Sequence, residues 1–265
     1  MEPAELEKRW RSPPAAAPAA LWDARAEQFD RPVPGPDDPY VALLQREGRL
    51  DRARTDVLDI GCGTGIYSMA LAGQVRSVRG LDVSPRMIAF ANRKAARLGL
   101  TNTVYEAADW ETADPAALGR YGLVMAHMTP AVGSAASFAK MTAVAAGPCF
   151  LTGYVDRRSP IWDRIYELTG TDGNTESDKL LFAQDTLWRQ GFAPQLCYER
   201  QHRAYELTPA EAEAVYLSGI RGFAAVTPDQ EEEVRAYLRS LVRNGTVSDR
   251  SDPLLATLWW DPGLT

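Results

Sequence analysis

Three glycines at alternate positions, Gly61, Gly63 and Gly65, follow directly on the run Val57-Leu58-Asp59-Ile60, and nothing else constrains the chain as tightly. Apolar residues around a single acid predict a buried strand, and helical spacing begins at Ile66. Glycines so placed let the backbone turn sharply and approach a ligand where a Cβ would collide. The helix behind them aims its free N–H groups at whatever the turn holds. An ordinary strand-to-helix turn needs one glycine. Three alternating ones predict a cradle for a nucleotide-like cofactor.

The surrounding residues narrow the choice. The dinucleotide fingerprint Gly-x-Gly-x-x-Gly does not fit, because the third glycine falls one residue early and Ile66 stands in its place. Asp59 lies inside the apolar strand, where an unpaired carboxylate is costly. An acid there suits a ligand that carries positive charge. A second strand, residues 75–82, ends in Asp82, placed to accept both hydroxyls of a ribose. Ser84 followed by Pro85 makes the better helix start, which leaves Asp82 for the ligand. Val83 and Met87 are placed to flank an adenine, Met87 being equally suited to the core. A third strand, residues 103–107, ends in Ala108-Asp109-Trp110. There the acid can accept from an adenine amino group and the indole can cover the ring; a helix cap beside a packed aromatic is the plainer alternative.

Together these residues resemble the motifs of class I S-adenosylmethionine-dependent methyltransferases. Residues 59–65 are similar to that family's first motif, Leu81-Asp82-Val83-Ser84 to its second and Ala108-Asp109-Trp110 to its third. Tyr121-Gly122-Leu123-Val124-Met125-Ala126-His127 resembles its fourth strand, whose end faces the transferred methyl. The resemblance spans roughly residues 55–155 and continues more weakly to the C-terminus. It implies S-adenosylmethionine as cofactor, held by Asp59, Gly61, Cys62, Gly63, Thr64, Gly65, Asp82, Val83, Met87, Ala108, Asp109 and Trp110, with Asp59 facing the ammonium directly or through water. It also puts His127 beside the methyl, as a general base or as a half-buried imidazole satisfied by a neighbour; proximity alone drives many such transfers. No metal is implied. Ala131 after Pro130 departs from the Asp/Asn/Ser-Pro-Pro-aromatic signature of enzymes that methylate exocyclic base amines. Cys149, inside an apolar run, reads as core.

Alternating strands and helices from residue 56 to 154 predict an α/β fold, a doubly wound, seven-stranded and mostly parallel sheet. Residues 1–50 read as an Ala/Pro-rich arm followed by a helical lid over residues 22–40. Residues 51–265 form the cofactor-binding domain, with helical insertions near 156–190 and 208–250. Residues 196–205 alternate as one strand and residues 254–260 as the last. In the family the final two strands form a hairpin, and here about 45 residues would be inserted in it.

Composition excludes some partners. Acids outnumber Lys and Arg 35 to 29, which disfavours a large polyanion such as nucleic acid. Three separated cysteines without metal-ligand spacing fit a reducing cytoplasm, and no apolar run reaches the length of a membrane span. The expected function is methyl transfer from S-adenosylmethionine to an O, N, S or C nucleophile of a small molecule. A non-catalytic S-adenosylmethionine-binding sensor or partner subunit is the alternative, separated from it by methyl transfer in a cell extract. Tyr154, Arg157, Trp162, Tyr166, Tyr205, Tyr216, Arg221 and Phe223, near or within the insertions, suit a planar or partly anionic acceptor, or ordinary helix packing.

Overall fold

The computed structural model describes residues 10, 19–156, 159–171 and 175–263, without the side chains of 175–178 and 222–223. Two short helices come first, α1 (Ala19–Arg25), continued by a 3-10 turn over Ala26–Phe29, and α2 (Pro39–Glu47). Asp38 starts α2 by accepting from the N–H groups of Tyr40 and Val41 at 3.0 and 3.1 Å, and Pro39 presets its first turn. The alternation then runs as expected: β1 (Asp56–Ile60), α3 (Ile66–Leu71), β2 (Ser77–Asp82), α4 (Pro85–Arg97), β3 (Thr103–Ala107), α5 (Pro115–Leu118), β4 (Leu123–His127), α6 (Ala135–Ala143) and β5 (Cys149–Asp156).

After β5 come α7 (Pro160–Thr169), α8 (Thr175–Arg189), β6 (Gln195–Arg200), β7 (Arg203–Leu207), α9 (Pro209–Phe223), α10 (Pro228–Ser240), β8 (Val247–Ser251) and β9 (Leu254–Trp260). Seven strands form the main sheet in the order β3-β2-β1-β4-β5-β9-β6, all parallel except β9. The order reverses between β1 and β4, so the crevice for a ligand opens at the carboxyl ends of those two strands. Val57, Leu123, Met125 and Phe150 face one apolar layer with α2, α3 and α4; Leu58, Ile60, Val124, Ala126 and Leu151 face the other with α6 and α8.

The stretch 196–205 is not one strand. β6 ends at Arg200 because its partner β9 begins at Leu254, and the chain then turns so that β7 pairs with β8 in a separate two-stranded sheet. The helices α9 and α10 are the insertion, and with α7 they enclose a third core that includes Ile165, Ile220, Val234 and Leu238. Trp162 stacks on Tyr166 at 5.5 Å and meets Tyr216 edge-on at 5.2 Å, and Arg221 pairs with Glu231 at 2.6 Å. Trp162, Tyr166 and Tyr216 therefore pack into that core, while Tyr205 is exposed. Arg157, the side chain of Phe223 and most of the N-terminal arm lie outside the described residues. No helix among the described residues is long and apolar enough to cross a membrane.

Candidate functional site

Gly61 and Gly63 both have left-handed backbones, with φ of 64° and 55°, for different reasons. A Cβ on Gly61 would stand 1.9 Å from Thr129 Oγ1, so the protein itself requires glycine there. A Cβ on Gly63 would meet no atom within 4 Å; its bare backbone faces open space, as a ligand cradle needs. The Gly63 N–H donates to Asp82 Oδ2 at 2.8 Å, the Ser84 N–H donates to Asp82 Oδ1 at 2.9 Å, and the Cys62 N–H donates to the Leu81 carbonyl at 2.9 Å. The turn is thus hooked to the end of β2. The N–H of Gly65 closes it on the Cys62 carbonyl at 2.9 Å and α3 begins.

Two acids converge on this turn. Asp59 is 3% exposed, and burial pushes its carboxyl up to about 7 against the pull of the Ser68 hydroxyl, with the Asp82 charge adding to the rise. Burial also raises Asp82, opposed by the N–H groups of Ser84 and Gly63. The Cys62 thiol is pushed well up by burial and by both acids, so it stays protonated. Acids this buried gain most from a ligand that brings a cation to one and hydroxyls to the other. S-adenosylmethionine, with its ammonium, sulfonium and ribose, fits that donor set.

The other expected contacts are distributed unevenly. Ala108 N–H donates to the Asp82 carbonyl at 2.9 Å, which brings the end of β3 beside the end of β2. Asp109 is half-buried and accepts from the Glu111 N–H at 2.9 Å, capping the turn that follows. Val83 is half-buried, and Met87 is core at 3% exposed. Trp110 is core as well: it is 2% exposed, its indole N–H donates to the Ser137 carbonyl at 2.9 Å, and Lys140 sits 5.3 Å from its ring. No ring face remains to cover an adenine, since the buried N–H needed a partner inside. Thr64 is 3% exposed and its hydroxyl donates to the Phe29 carbonyl at 2.8 Å.

At the end of β4 the structure assembles residues that spacing did not reveal. His127 stacks on Tyr40 with centroids 4.1 Å apart, and Tyr67 lies 4.2 Å from His127 and 5.3 Å from Tyr40. Tyr67 is the second residue of α3, so the glycine turn aims it here; Tyr40 comes from α2, some 87 residues before His127 in the chain. Burial, and then the Lys179 charge, push the His127 imidazole down to about 3. So weak a base takes up a proton poorly, which favours the half-buried imidazole over the general base, the two readings its position allowed. The next residue, Met128, has φ of 51°, a left-handed conformation rare for a side chain of this kind, and it swings Thr129 back against Gly61. The Thr129 carbonyl accepts from Lys179 Nζ at 2.9 Å.

The segment that carries Tyr40 also straps the cofactor side. Asp23 accepts from Ser84 Oγ at 2.5 Å and from the Arg86 N–H at 3.0 Å, and Glu27 pairs with Arg86 at 2.6 Å. Lys94, 3% exposed on α4, pairs with Asp30 at 2.7 Å and donates to the Arg31 carbonyl at 2.5 Å. With Thr64 bound to Phe29, residues 23–31 are fastened to α4 and to the glycine turn.

A doubly wound sheet with order β3-β2-β1-β4-β5-β9-β6, a glycine turn hooked to an acid at the end of β2 and an acid inside β1 together make a site of the kind nucleotide cofactors occupy. Residues 57–147, about a third of the chain, match the family model described as a methyltransferase domain. A relative from Streptococcus agalactiae named as an uncharacterized RNA methyltransferase is 45% identical over 60 residues, 23% of this chain and 13% of its own length. One from Streptococcus mutans, of the same name, is 43% identical over 81 residues, 30% of this chain and 18% of its own. The chain thus spans less than a fifth of either relative. Among solved structures, YcgJ of Bacillus subtilis has a TM-score of 0.53 at 18% identity, covering 82% of this chain and 96% of YcgJ. Precorrin-6y C5,15-methyltransferase of Geobacter metallireducens has a TM-score of 0.50 at 11% identity, covering 84% and 89%. At such identities the likeness is one of fold.

Proposed function

We propose that this protein transfers the methyl group of S-adenosylmethionine to a small-molecule acceptor and releases S-adenosylhomocysteine. The observation that carries the reading is the convergence of Asp59 and Asp82 on a turn whose central glycine presents bare backbone to the crevice. Asp82 would hold the ribose hydroxyls, Asp59 would face the cationic methionine end, and the backbone from Gly61 to Gly63 would lie along the ligand. The bound cofactor supplies the electrophilic methyl. The chain's own part is orientation and the exclusion of water, with His127, Tyr40 and Tyr67 closing the end of β4 where the acceptor must approach.

A small acceptor is favoured over RNA by two features. Tyr40 is 3% exposed and stacks on His127, so α2 covers the end of β4, which suits a small acceptor better than a polymer. The chain also carries a formal net charge of −6, opposite to what phosphate neutralisation asks for. The streptococcal relatives named as RNA methyltransferases match only 23% and 30% of this chain. A reducing cytoplasm is the proposed setting, in keeping with Cys62, Cys149 and Cys197 as free thiols.

The test is twofold. Calorimetry should give saturable binding of S-adenosylmethionine and S-adenosylhomocysteine, and none of a nicotinamide dinucleotide. Radiolabelled methyl from S-adenosylmethionine should then enter the low-molecular-mass fraction of a cell extract. Label in the RNA fraction would replace the small-molecule reading, and binding without any transfer would make the protein a sensor or partner subunit.

A further inference from the structure

A transverse row of polar side chains crosses the sheet one step beyond its apolar core. In register across four strands stand His127 on β4, Thr152 on β5, Thr257 on β9 and Cys197 on β6. One row earlier, Met125, Phe150 and Trp259 occupy the same face. Thr152 and Thr257 are buried at 2% and 6% exposure and share a hydrogen bond of 2.9 Å between their hydroxyls. Tyr40 lies over this row, its ring on His127 and its hydroxyl directed toward Thr152 without reaching hydrogen-bond geometry.

Two polar atoms here lack partners among the described residues, Tyr40 Oη and His127 Nδ1. Tyr40 is 3% exposed. A buried hydroxyl or imidazole nitrogen left without a partner is destabilising, and the structure tolerates two such atoms on a pair of stacked rings at the strand end nearest the proposed transfer. A ligand group that can donate to one and accept from the other removes both penalties. A thiol does so weakly and a carbon nucleophile not at all; a hydroxyl or an amino group does so well. The rings of Tyr40, Tyr67 and His127 favour edge and face contact with another ring.

Resting on the methyltransferase reading, we propose that the acceptor is an aromatic hydroxyl or amine, whose heteroatom is hydrogen-bonded between Tyr40 Oη and His127 Nδ1. Tyr40 and His127 are then the residues that select oxygen or nitrogen over sulfur or carbon. In the transfer the sulfur–methyl bond breaks with its electron pair left on sulfur, the heteroatom–methyl bond forms, and the acceptor's proton leaves to water. The imidazole, neutral across the physiological range, binds and orients without storing that proton.

The chain has only two histidines, so its imidazole nitrogens can be read directly by NMR of ¹⁵N-histidine-labelled protein, with His202→Gln separating the two. Protein saturated with S-adenosylhomocysteine is titrated with phenol and, as the isostere lacking the hydroxyl, with toluene. Phenol should shift the His127 Nδ1 resonance and bind about tenfold more tightly than toluene, the equivalent of one good hydrogen bond. Tyr40→Phe, which keeps the ring, should reduce that preference to about twofold or less and leave S-adenosylhomocysteine affinity within about twofold. Equal binding of phenol and toluene, binding of neither, or a His127 resonance that phenol leaves in place overturns the proposal. Failure to bind S-adenosylhomocysteine is a separate result, and it strikes the methyltransferase reading.

Discussion

The backbone N–H of Gly63 donates to Asp82 Oδ2 at 2.8 Å, so the acid at the end of the second strand holds the turn at the end of the first. The same carboxylate accepts from Ser84 at the head of α4. Asp82 therefore shapes the cradle, and under the proposed function it also accepts from the ribose. Asp82→Ala should weaken S-adenosylhomocysteine binding by roughly 1.5–3 kcal/mol, since hydrogen bonds to a charged acceptor are lost. Calorimetry at neutral pH measures it. A loss within error would mean that the ribose is held elsewhere.

Gly63→Val should abolish cofactor binding and leave the fold intact. Its Cβ has free space inside the protein, so nothing in the core is displaced, but the branch would stand in the crevice and the left-handed backbone disfavours it. Circular dichroism like wild type together with lost affinity is the expected pair. Gly61→Ala should instead lower the melting temperature, because its Cβ drives into Thr129.

Cofactor affinity should fall as pH drops through about 7, where Asp59 takes up a proton and ceases to pair with a cation. The loss is limited to about tenfold per pH unit for one group. Asp59→Asn should bind more weakly at pH 8 and show little further change down to pH 6. A wild-type affinity that is level from pH 8 to 6 would show that Asp59 does not face the charge.

Stability of the free protein should reveal opposite slopes from two buried groups. The Asp59 pKa is raised from 3.8 to about 7, so its contribution is full below the ordinary carboxyl value and is lost as pH rises through about 7. The His127 pKa is lowered from 6.5 to about 3, so its contribution is full above 6.5 and is lost as pH falls through about 3. Between about pH 4 and 6.5 the two oppose each other, each bounded by about 1.4 kcal/mol per pH unit. Relative to wild type, Asp59→Asn should lose melting temperature on acidification from pH 6.5 to 4.5, and His127→Gln should gain it. Parallel pH curves for all three proteins would contradict the assigned burial.

The strap over residues 23–31 should act as a lid. Its fastenings are polar; the Glu27–Arg86 pair is exposed and opens locally at small cost, while Lys94 and Thr64 hold it from buried positions. Amide exchange over residues 19–40 should slow when S-adenosylhomocysteine is added, and Lys94→Met should speed exchange around Asp30 in the free protein. Identical exchange with and without ligand would make the segment fixed scaffold.

The cofactor side of this protein was legible in the sequence because its chemistry is local. Gly61, Gly63 and Gly65 lie within five residues, Asp59 precedes them in the same strand, and Asp82 closes the next βα unit. Periodicity alone placed the parallel strands, since each is an apolar run between turn signals. Where local pattern misled, a distant partner decided. The stretch 196–205 alternates throughout, yet it divides at Gln201 because β9 has no residues left to pair and β8 does. Trp110 had the motif position of a ring cover, yet the Ser137 carbonyl across the core claims its N–H. The cluster of Tyr40, Tyr67 and His127 was beyond reach of spacing altogether. Its members come from a helix outside the minimal fold, from the helix after the glycine turn and from the fourth strand; only packing of α2 against the sheet brings them together. Turns and strands answer to neighbours in sequence, whereas burial and the partners of buried polar atoms answer to neighbours in space.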